Sequence, residues 1–540
     1  MKNEKMRWLA ALAAVILLAA VTYSLSDVVF QTNDDNTILA VVCGGVTGTP
    51  EAADGFTTYG YGWLLSRLYS LCPSLPWHAL LLTAAQWAAL TALLRSLLGK
   101  NPWLGLAGFG ALYAGVAMKF MVYLQFTATA GFCAAGASAL LLTLPDGRRG
   151  RRFCLTTALG LMLFALLVRR ESGLLALPAP LLCGLYRAGR GDRRTLAACG
   201  ALLVLAAGIW LGDNALYRQN VPDWQEQQTF DEASAQVLDY RNTEQTYQLA
   251  RQVTDWTEPL CDCFRNWNLL FDRRFDTERL SRVVQAAEEA ETPPGVVQIA
   301  HKTLSLLKNY QEFGWNALAF ALLSGWLAWS FLRRRDWLGV LLVCGLWLFV
   351  LAVTAYFYGL RSRLPDRVAL VYALPVYAAL LTLAMGQAKK GAALLLLVCA
   401  AAVTVAVQPQ DVLVRQNARR QRLAEATRQV NAYAAAHAQN LYVTDVSQNG
   451  YAFENLVPPV NLVEWCSPLI RSHAYRQKFA LLGYPEGLDT LNLADEGVYL
   501  LMESGASVNR LAAVLAADGL DWTLETVEQT AYFTVWRLQK

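Results

Sequence analysis

The 540-residue chain has few charged side chains and few histidines. Asp, Glu, Lys and Arg make up 16% of it, against about 25% in ordinary soluble domains, and it has only four histidines. Apolar residues make up 55%, and the mean hydropathy is +0.29. This composition excludes a single soluble globule, a disordered chain, a fibrous repeat and a disulfide scaffold.

The sequence also lacks the short motifs of nucleotide and metal chemistry. It has no P-loop, dinucleotide-binding fingerprint, nucleophile elbow or HExxH motif, so ATP-driven transport by this chain is not expected. Cys261 and Cys263 are too close for a relaxed disulfide and lack the companions of a zinc site. No basic patch with interleaved aromatic residues lies outside the short basic loops, and no nucleic-acid partner is expected.

The few charges are unevenly distributed along the chain. Eleven windows of 15 to 25 residues contain none. A helix needs about 20 apolar residues to cross a bilayer core, and backbone polar groups must pair internally in lipid. The sequence therefore predicts a polytopic α-helical membrane protein with eleven transmembrane helices. Their windows are 8–26, 78–94, 102–118, 120–144, 153–168, 172–186, 195–212, 314–332, 337–360, 368–388 and 391–410.

Charge asymmetry between the loops predicts the orientation. With the N-terminus in the cytoplasm, the cytoplasmic segments contain 18 basic and four acidic residues, and the rest of the chain contains 28 basic and 38 acidic residues. Short basic cytoplasmic loops are what the positive-inside rule requires. An odd number of spans then places the C-terminus outside the cell membrane, which we take to be a bacterial plasma membrane.

Three outer segments are long enough to fold. The predicted membrane domain, 1–410, carries an outer loop at 27–77 with surface helices and an outer helical loop at 213–313. Residues 411–540 are predicted to form an extracytoplasmic soluble α/β domain, because 441–446, 478–482, 498–502 and 531–538 are typical of strands and 415–438 and 506–517 of helices.

Two adjacent carboxylates follow the first span. Asp34 and Asp35 lie about eight residues beyond it on the predicted outer face. Mutual repulsion should raise the pKa of one of them, which suits a general base acting on a hydroxyl. The alternative is that one of these acids is the N-cap of a helix over 37–43.

This layout resembles the GT-C superfamily of polyprenyl-phosphate-sugar-dependent glycosyltransferases, which includes the protein mannosyltransferase-like enzymes. In that family an Asp-Glu or Asp-Asp pair in the first outer loop supplies the catalytic base, and Asp34-Asp35 matches it. The resemblance covers the layout of about 1–410. It implies an inverting transfer of a sugar from a lipid phosphate, held in the bilayer, to a hydroxyl of a glycan, lipid or protein acceptor. It leaves the involvement of a divalent metal open, and we assign no metal ligands.

Cations at the outer ends of spans are candidates for holding the phosphate of the donor. Arg361, Arg363 and Arg367 lie between two spans, and Arg binds phosphate bidentately; headgroup anchoring or pairing with Asp366 is the alternative. The second candidate pair, Arg169 and Arg170, could instead form a local ion pair with Glu171 that stabilises a tight turn.

Several aromatic and polar residues of the outer face could contact a sugar or acceptor. We predict a pocket formed by Tyr59, Tyr61, Trp63, His78 and Gln125. For the rings, an interfacial aromatic belt is the alternative, and for Gln125 it is hydrogen bonding between helices.

Two other functions remain open at this stage. A polysaccharide ligase or polymerase of lipid-linked glycans would also have many spans, but its main outer loop usually lies late in the chain. The third possibility is a non-catalytic envelope transporter or scaffold: a transporter should show inverted repeats, and a scaffold would tolerate neutral replacements of both acids. We see no internal repeat in the sequence.

Overall fold

The computed structural model is mainly helical and describes most of the chain. It covers residues 4–99, 102–309, 311–387 and 417–540, except Ser447, Asn449, Pro468 and Ser504. The chain divides into two compact units. The first comprises Met1–Gln31, Trp77–Asp213 and Pro294–Ala418, and the second Thr32–Pro76, Asn214–Pro293 and Arg419–Lys540.

The helices and strands are numbered in chain order. Up to residue 220 they are α1 (Glu4–Leu25), β1 (Val29–Phe30), α2 (Asn33–Val42), α3 (Tyr59–Leu71), α4 (Trp77–Leu97), α5 (Pro102–Leu112), α6 (Met118–Val122), β2 (Tyr123–Leu124), α7 (Phe126–Leu142), α8 (Arg148–Val168), α9 (Arg170–Ala176), α10 (Pro178–Gly189) and α11 (Arg193–Asn220). Beyond it they are α12 (Trp224–Ala235), α13 (Glu244–Val253), α14 (Glu258–Arg265), α15 (Thr277–Ala290), α16 (Val296–Asn309), α17 (Gln311–Arg333), α18 (Trp337–Thr354), α19 (Asp366–Gln387), α20 (Asn417–Ala436), β3 (Leu441–Thr444), β4 (Leu462–Glu464), α21 (His473–Leu481), β5 (Val498–Met502), α22 (Gly505–Ala517), β6 (Thr523–Gln529) and β7 (Thr534–Gln539).

Seven helices within the described residues are long and apolar enough to cross a membrane. They confirm a helical, polytopic membrane protein and coincide with seven of the eleven predicted windows. These helices are Glu4–Leu25, Trp77–Leu97, Pro102–Val122, Arg148–Val168, Arg193–Asn220, Trp337–Leu360 and Asp366–Gly386.

The other four predicted windows correspond to none of these seven helices. The window at 120–144 contains α7, an apolar helix of 17 residues, and the window at 172–186 is divided between α9 and α10, with Pro178 at the start of the second. The window at 314–332 lies in α17. The window at 391–410 lies outside the described residues. The count of eleven spans therefore stays a prediction.

Helix α7 lies at the centre of the first unit. All of its residues are buried, and α19, α8 and α4 pack around it. Small side chains make this possible: a methyl group added at Gly131 would lie 2.9 Å from the Cα of Val371 in α19, and one at Gly136 would lie 2.8 Å from the Ala89 carbonyl oxygen in α4. Close packing of small residues drives helix association where lipid replaces water.

Ion pairs of the first unit join residues that are predicted to share one side of the membrane. Arg95 pairs with Glu4, and Arg151 pairs with Asp192 at 3.4 Å; all four lie in predicted cytoplasmic segments or at their ends. Other ion pairs join residues predicted to lie outside, such as the 3.2 Å contact of Lys119 with Asp366. This segregation agrees with the predicted alternation of loops, although which side is cytoplasmic stays a prediction.

The second unit contains a five-stranded sheet with the strand order β4-β3-β5-β7-β6. Strands β4, β3 and β5 are parallel, whereas β7 and β6 are antiparallel to their neighbours. Buried residues of the tail, such as Val443 and Trp465, share one hydrophobic core with residues of the two predicted outer loops, such as Val41 and Phe264. The three predicted outer segments therefore fold together. The domain boundary proposed at residue 410 stays a prediction.

Several local predictions in the tail were wrong. The strand predicted at 478–482 lies in α21, because the Ser472 side chain caps that helix by accepting a hydrogen bond from the Tyr475 amide. Strand β4 was missed because it is only three residues long. Strand β6 was missed because it is mostly polar and exposed at the edge of the sheet.

Candidate active site

The two predicted catalytic acids lie in the first turn of α2, in the second unit. Thr32 occupies the N-cap, so the alternative interpretation of either acid as a cap is wrong. Negative side chains are stabilised at this position because the helix dipole places partial positive charge there. The sequence therefore folds the acid pair into an electrostatically favourable turn.

Adjacent in sequence, Asp34 and Asp35 differ in exposure. The Asp35 side chain is completely buried, and the Thr32 hydroxyl donates a hydrogen bond to it at 3.4 Å. Asp34 is only partly buried. A carboxylate that is to take a proton from an acceptor must have exposed surface, and of the two carboxylates only Asp34 has it.

A third carboxylate, which the sequence analysis missed, belongs to the same neighbourhood. Asp54 is completely buried and accepts hydrogen bonds from the Phe56 and Thr57 amides and from the Thr57 hydroxyl, at 2.6 to 2.8 Å. The sequence does contain a pattern that indicates this turn, since Asp followed closely by Thr is typical of turns in which a side chain accepts backbone hydrogen bonds. Asp54 therefore acts as a structural acid.

Tyr61 in α3 connects these acids electrostatically. Burial raises its pKa well above the usual value, and electrostatic interactions with Tyr69, Asp35 and Asp54 act in the same direction. The Tyr61 hydroxyl is therefore protonated at neutral pH. Helix α3 approaches the turn before it closely, because Gly62 has no side chain: a methyl group there would overlap the carbonyl oxygen of Ala52.

The other predicted sugar-contacting residues of α3 do not share one face. Trp63 is 49% exposed, and the Arg67 guanidinium lies 5.8 Å from its ring. Tyr59 contacts Tyr217 edge to face with ring centroids 5.6 Å apart. Tyr61 is buried, so these three rings are not brought together on one surface, and their role in sugar binding stays a prediction.

His78 and Gln125 are buried in the first unit. The His78 ring lies 5.5 Å from Phe30. Gln125 caps α7: its side-chain oxygen accepts a hydrogen bond from the Ala128 amide at 2.7 Å, and its amide nitrogen donates one to the Thr127 hydroxyl. The capping interactions give Gln125 a structural role, and contact with substrate stays a prediction.

The two arginines between α8 and α9 have different environments. Arg170 forms ion pairs with Glu171 at 2.6 Å and with the buried Asp213 at 3.0 Å. Arg169 donates a hydrogen bond to the Thr127 hydroxyl at 2.8 Å, and its guanidinium lies 4.9 Å from the Phe126 ring. The local ion pair considered for this turn is thus present at Arg170, whereas Arg169 is held at the first turn of α7.

Residues 361–365 form a tight turn before α19, and Arg367 lies in the first turn of that helix. Ser362 has a left-handed backbone (φ 56°), and its hydroxyl accepts a hydrogen bond from the Lys302 ammonium at 2.9 Å. The Arg361 guanidinium lies 5.8 Å from the Tyr356 ring. Asp366 pairs with Lys119. Lys302 is therefore a further cation beside the predicted arginines, and the sequence offered no signal for it.

No group of three or more His, Cys, Asp or Glu residues that could hold a metal ion occurs in the described part of the chain. Asp34 and Asp35 are carboxylates of the second unit, and Arg169 and Arg361 are guanidinium groups of the first. Such groups can remove a proton and stabilise an anion.

The fold and these groups define a class: a mainly helical, polytopic membrane protein with a second, sheet-containing unit. No protein-family model and no curated protein sequence matches the chain. It is similar to two crystal structures of ArnT from Cupriavidus metallidurans. For the structure bound to undecaprenyl phosphate the identity is 14%, over 98% of this chain and 97% of that chain, with a TM-score of 0.41. For the apo structure the identity is 13%, over 99% of this chain and 98% of that chain, and the TM-score is also 0.41. Similarity at this level assigns no activity to the chain.

Proposed function

We propose that the protein is a GT-C-like membrane glycosyltransferase that moves a sugar from a polyprenyl phosphate to an acceptor hydroxyl on the outer face of the membrane. Asp34 is the general base, and Asp35 supports it from within the fold. The observation that carries the proposal is the acid pair in the first turn of α2, with one carboxylate sealed and the other accessible.

The proposed step is a single displacement. The Asp34 carboxylate takes the proton of the acceptor hydroxyl as its oxygen attacks the anomeric carbon. The bond between that carbon and the phosphate oxygen breaks, and the lipid phosphate leaves with the electron pair. One displacement inverts the configuration at the anomeric carbon.

The leaving phosphate gains negative charge, so the mechanism needs cations that recognise it. Arg169 is the first candidate, since its described partners are a hydroxyl and an aromatic ring rather than a carboxylate. Arg361, Arg363, Arg367 and Lys302 are the second set. Arg170 is assigned a positioning role, because two carboxylates already compensate its charge.

Replacement of Asp34 tests the proposal. Asp34→Asn should reduce sugar transfer by about 100-fold or more, because general base catalysis contributes roughly 10² to 10⁴ in rate. The measurement is release of undecaprenyl phosphate by the purified protein from a panel of undecaprenyl-phosphate-linked hexoses and pentoses, in the presence of acceptor lipids and glycans.

The matched control is Asp27→Asn, which changes an exposed acid of the same predicted loop. It should retain wild-type transfer. If Asp34→Asn and Asp35→Asn both keep full activity, the acid pair has no part in the chemistry. Loss of activity in neither variant is what a protein without catalytic use of these acids would show.

A further inference from the structure

The second unit contains a cavity of about 290 Å³ that is open to solvent on one side and that the proposed transfer does not use. Its walls come from α12, from the segment before α15 and from residues 470–488. A volume near 300 Å³ is at the lower end of the range for ligand pockets. The cavity is thus large enough for a single small ligand, and none of its lining residues belongs to the set proposed for sugar transfer.

Arg471 lies on the wall of this cavity with unused hydrogen-bonding capacity. One of its terminal nitrogens, Nη2, donates to the carbonyl oxygens of Phe271, Asp272 and Phe275, at 2.7 to 3.4 Å. Its Nε is buried without a hydrogen-bond partner among the described residues. Burial lowers the pKa of the Arg471 guanidinium, and nearby carboxylates oppose this only in part. An anion in the cavity would compensate this buried charge.

Arg476 also lines the cavity and is loosely paired. Its contacts with Asp223 and Glu226 are long, at 3.8 and 3.6 Å. Its Nε and Nη2 atoms are buried without a hydrogen-bond partner among the described residues. Two arginines with spare donors therefore border one cavity, and Arg side chains suit planar recognition of carboxylate and phosphate groups.

The rest of the lining restricts the ligand. The carboxylates of Glu226 and Glu486 would repel a polyanion but accept hydrogen bonds from hydroxyl groups, and Phe230 and Phe479 offer aromatic faces. Asp276 is a third acid of the lining, but it already accepts a hydrogen bond from the Arg279 amide and forms an ion pair with the Arg279 side chain. A polyhydroxylated ring with one anionic group matches this combination.

We infer that this cavity binds one anionic sugar unit, with Arg471 and Arg476 holding its carboxylate or phosphate group. Glu226 and Glu486 then accept hydrogen bonds from the hydroxyls of the ring. Such a site would give the protein a means of recognising a glycan that carries a uronic acid or a sugar phosphate, separately from the transfer step.

Calorimetric titration of the full chain in detergent tests this inference. The probes are glucuronate, glucose 6-phosphate, neutral glucose and inorganic phosphate. At least one of the two anionic sugars should bind with a Kd of about 1 mM or tighter. Comparison of glucuronate with glucose 6-phosphate shows whether the site prefers a carboxylate or a phosphate. Glucose and inorganic phosphate should each bind at least about tenfold more weakly, because each lacks one half of the recognised chemistry.

Arg471→Met and Arg476→Met should each weaken binding of the anionic sugar by about tenfold or more. Arg471→Met also removes hydrogen bonds to three backbone carbonyls and could impair folding. Arg476→Met removes none of these bonds, so it tests the inference independently. The matched control is Arg282→Met, which removes an exposed arginine paired with Glu278 in α15 and should bind as the wild type does. Equal binding of glucose and the anionic sugars, wild-type affinity in Arg476→Met, or no saturable binding of either anionic sugar at about 10 mM would overturn the inference.

Discussion

At the residue scale, the acid pair shows how neighbouring side chains acquire different roles. Asp34 and Asp35 are identical in chemistry and share one turn of α2, yet only Asp35 is sealed. Burial of a charge is costly unless it is compensated, and the helix N-terminus and the Thr32 hydroxyl supply part of that compensation. The accessible partner is then available for proton transfer.

Arg169 provides a test at the same scale. Arg169→Met should raise the KM for an undecaprenyl-phosphate-linked sugar by about 10- to 100-fold, because a hydrogen bond to a charged group contributes about 1.5 to 3 kcal/mol. The measurement is initial rate against donor concentration at saturating acceptor. Arg218→Met, which changes an exposed arginine in α11, is the control. A change in acceptor KM alone would contradict the phosphate role.

At the element scale, small residues decide which helices approach closely. In α7 the glycines and alanines allow other helices to reach its backbone, and in α3 Gly62 allows the turn at Ala52 to do so. Hydrophobic windows predicted most helices of the first unit, because the cost of placing a residue in lipid adds up locally along the chain. They could not predict that α7 lies at the centre, since that depends on which helices it meets.

Gly62→Ala should destabilise the protein by about 1 to 3 kcal/mol, the usual cost of overpacking, because the added methyl would overlap the Ala52 carbonyl oxygen. Thermal unfolding of the purified chain in detergent measures this effect. Gly505→Ala is the matched control, because no atom lies near the added methyl at the start of α22. If both variants unfold at the wild-type temperature, the close packing of α3 is not a determinant of stability.

At the scale of the whole molecule, stretches far apart in the chain form the second unit together. Val41, Phe264 and Trp465 share its core, and ion pairs join the buried Asp272 to Arg274 and, through Arg274, to the surface residue Asp518. Glu464 and the buried Lys478 form a second pair of ionisable residues in this unit. Burial raises the pKa of Glu464 to about 7 despite Lys478, and burial lowers the pKa of Lys478 to about 8 despite Glu464.

Glu464 makes the stability of this unit dependent on pH. The folded protein holds the Glu464 proton more tightly than the unfolded chain, whose ordinary pKa is 4.5. The stabilisation is therefore complete below pH 4.5 and is lost as the pH rises towards about 7. The unfolding temperature of the wild type relative to Glu464→Gln should fall across this window.

The control for this measurement is Glu496→Gln, which changes an exposed acid of the same unit. Its unfolding temperature relative to the wild type should stay nearly constant across the same window. A difference between the wild type and Glu464→Gln that grows with pH would instead mean that Glu464 is ionised and stabilised by Lys478.

The amino-acid sequence by itself determined the membrane class, the positions of most spans and the place of the acid pair beyond the first of them. Hydropathy and loop charge act locally, and a window of residues is enough to express them. Only the tertiary structure decided that Asp35 is sealed while Asp34 is accessible, that Arg170 meets Asp213, and that Arg471 borders a cavity. Each of these depends on packing between stretches far apart in the chain, and no local pattern records it.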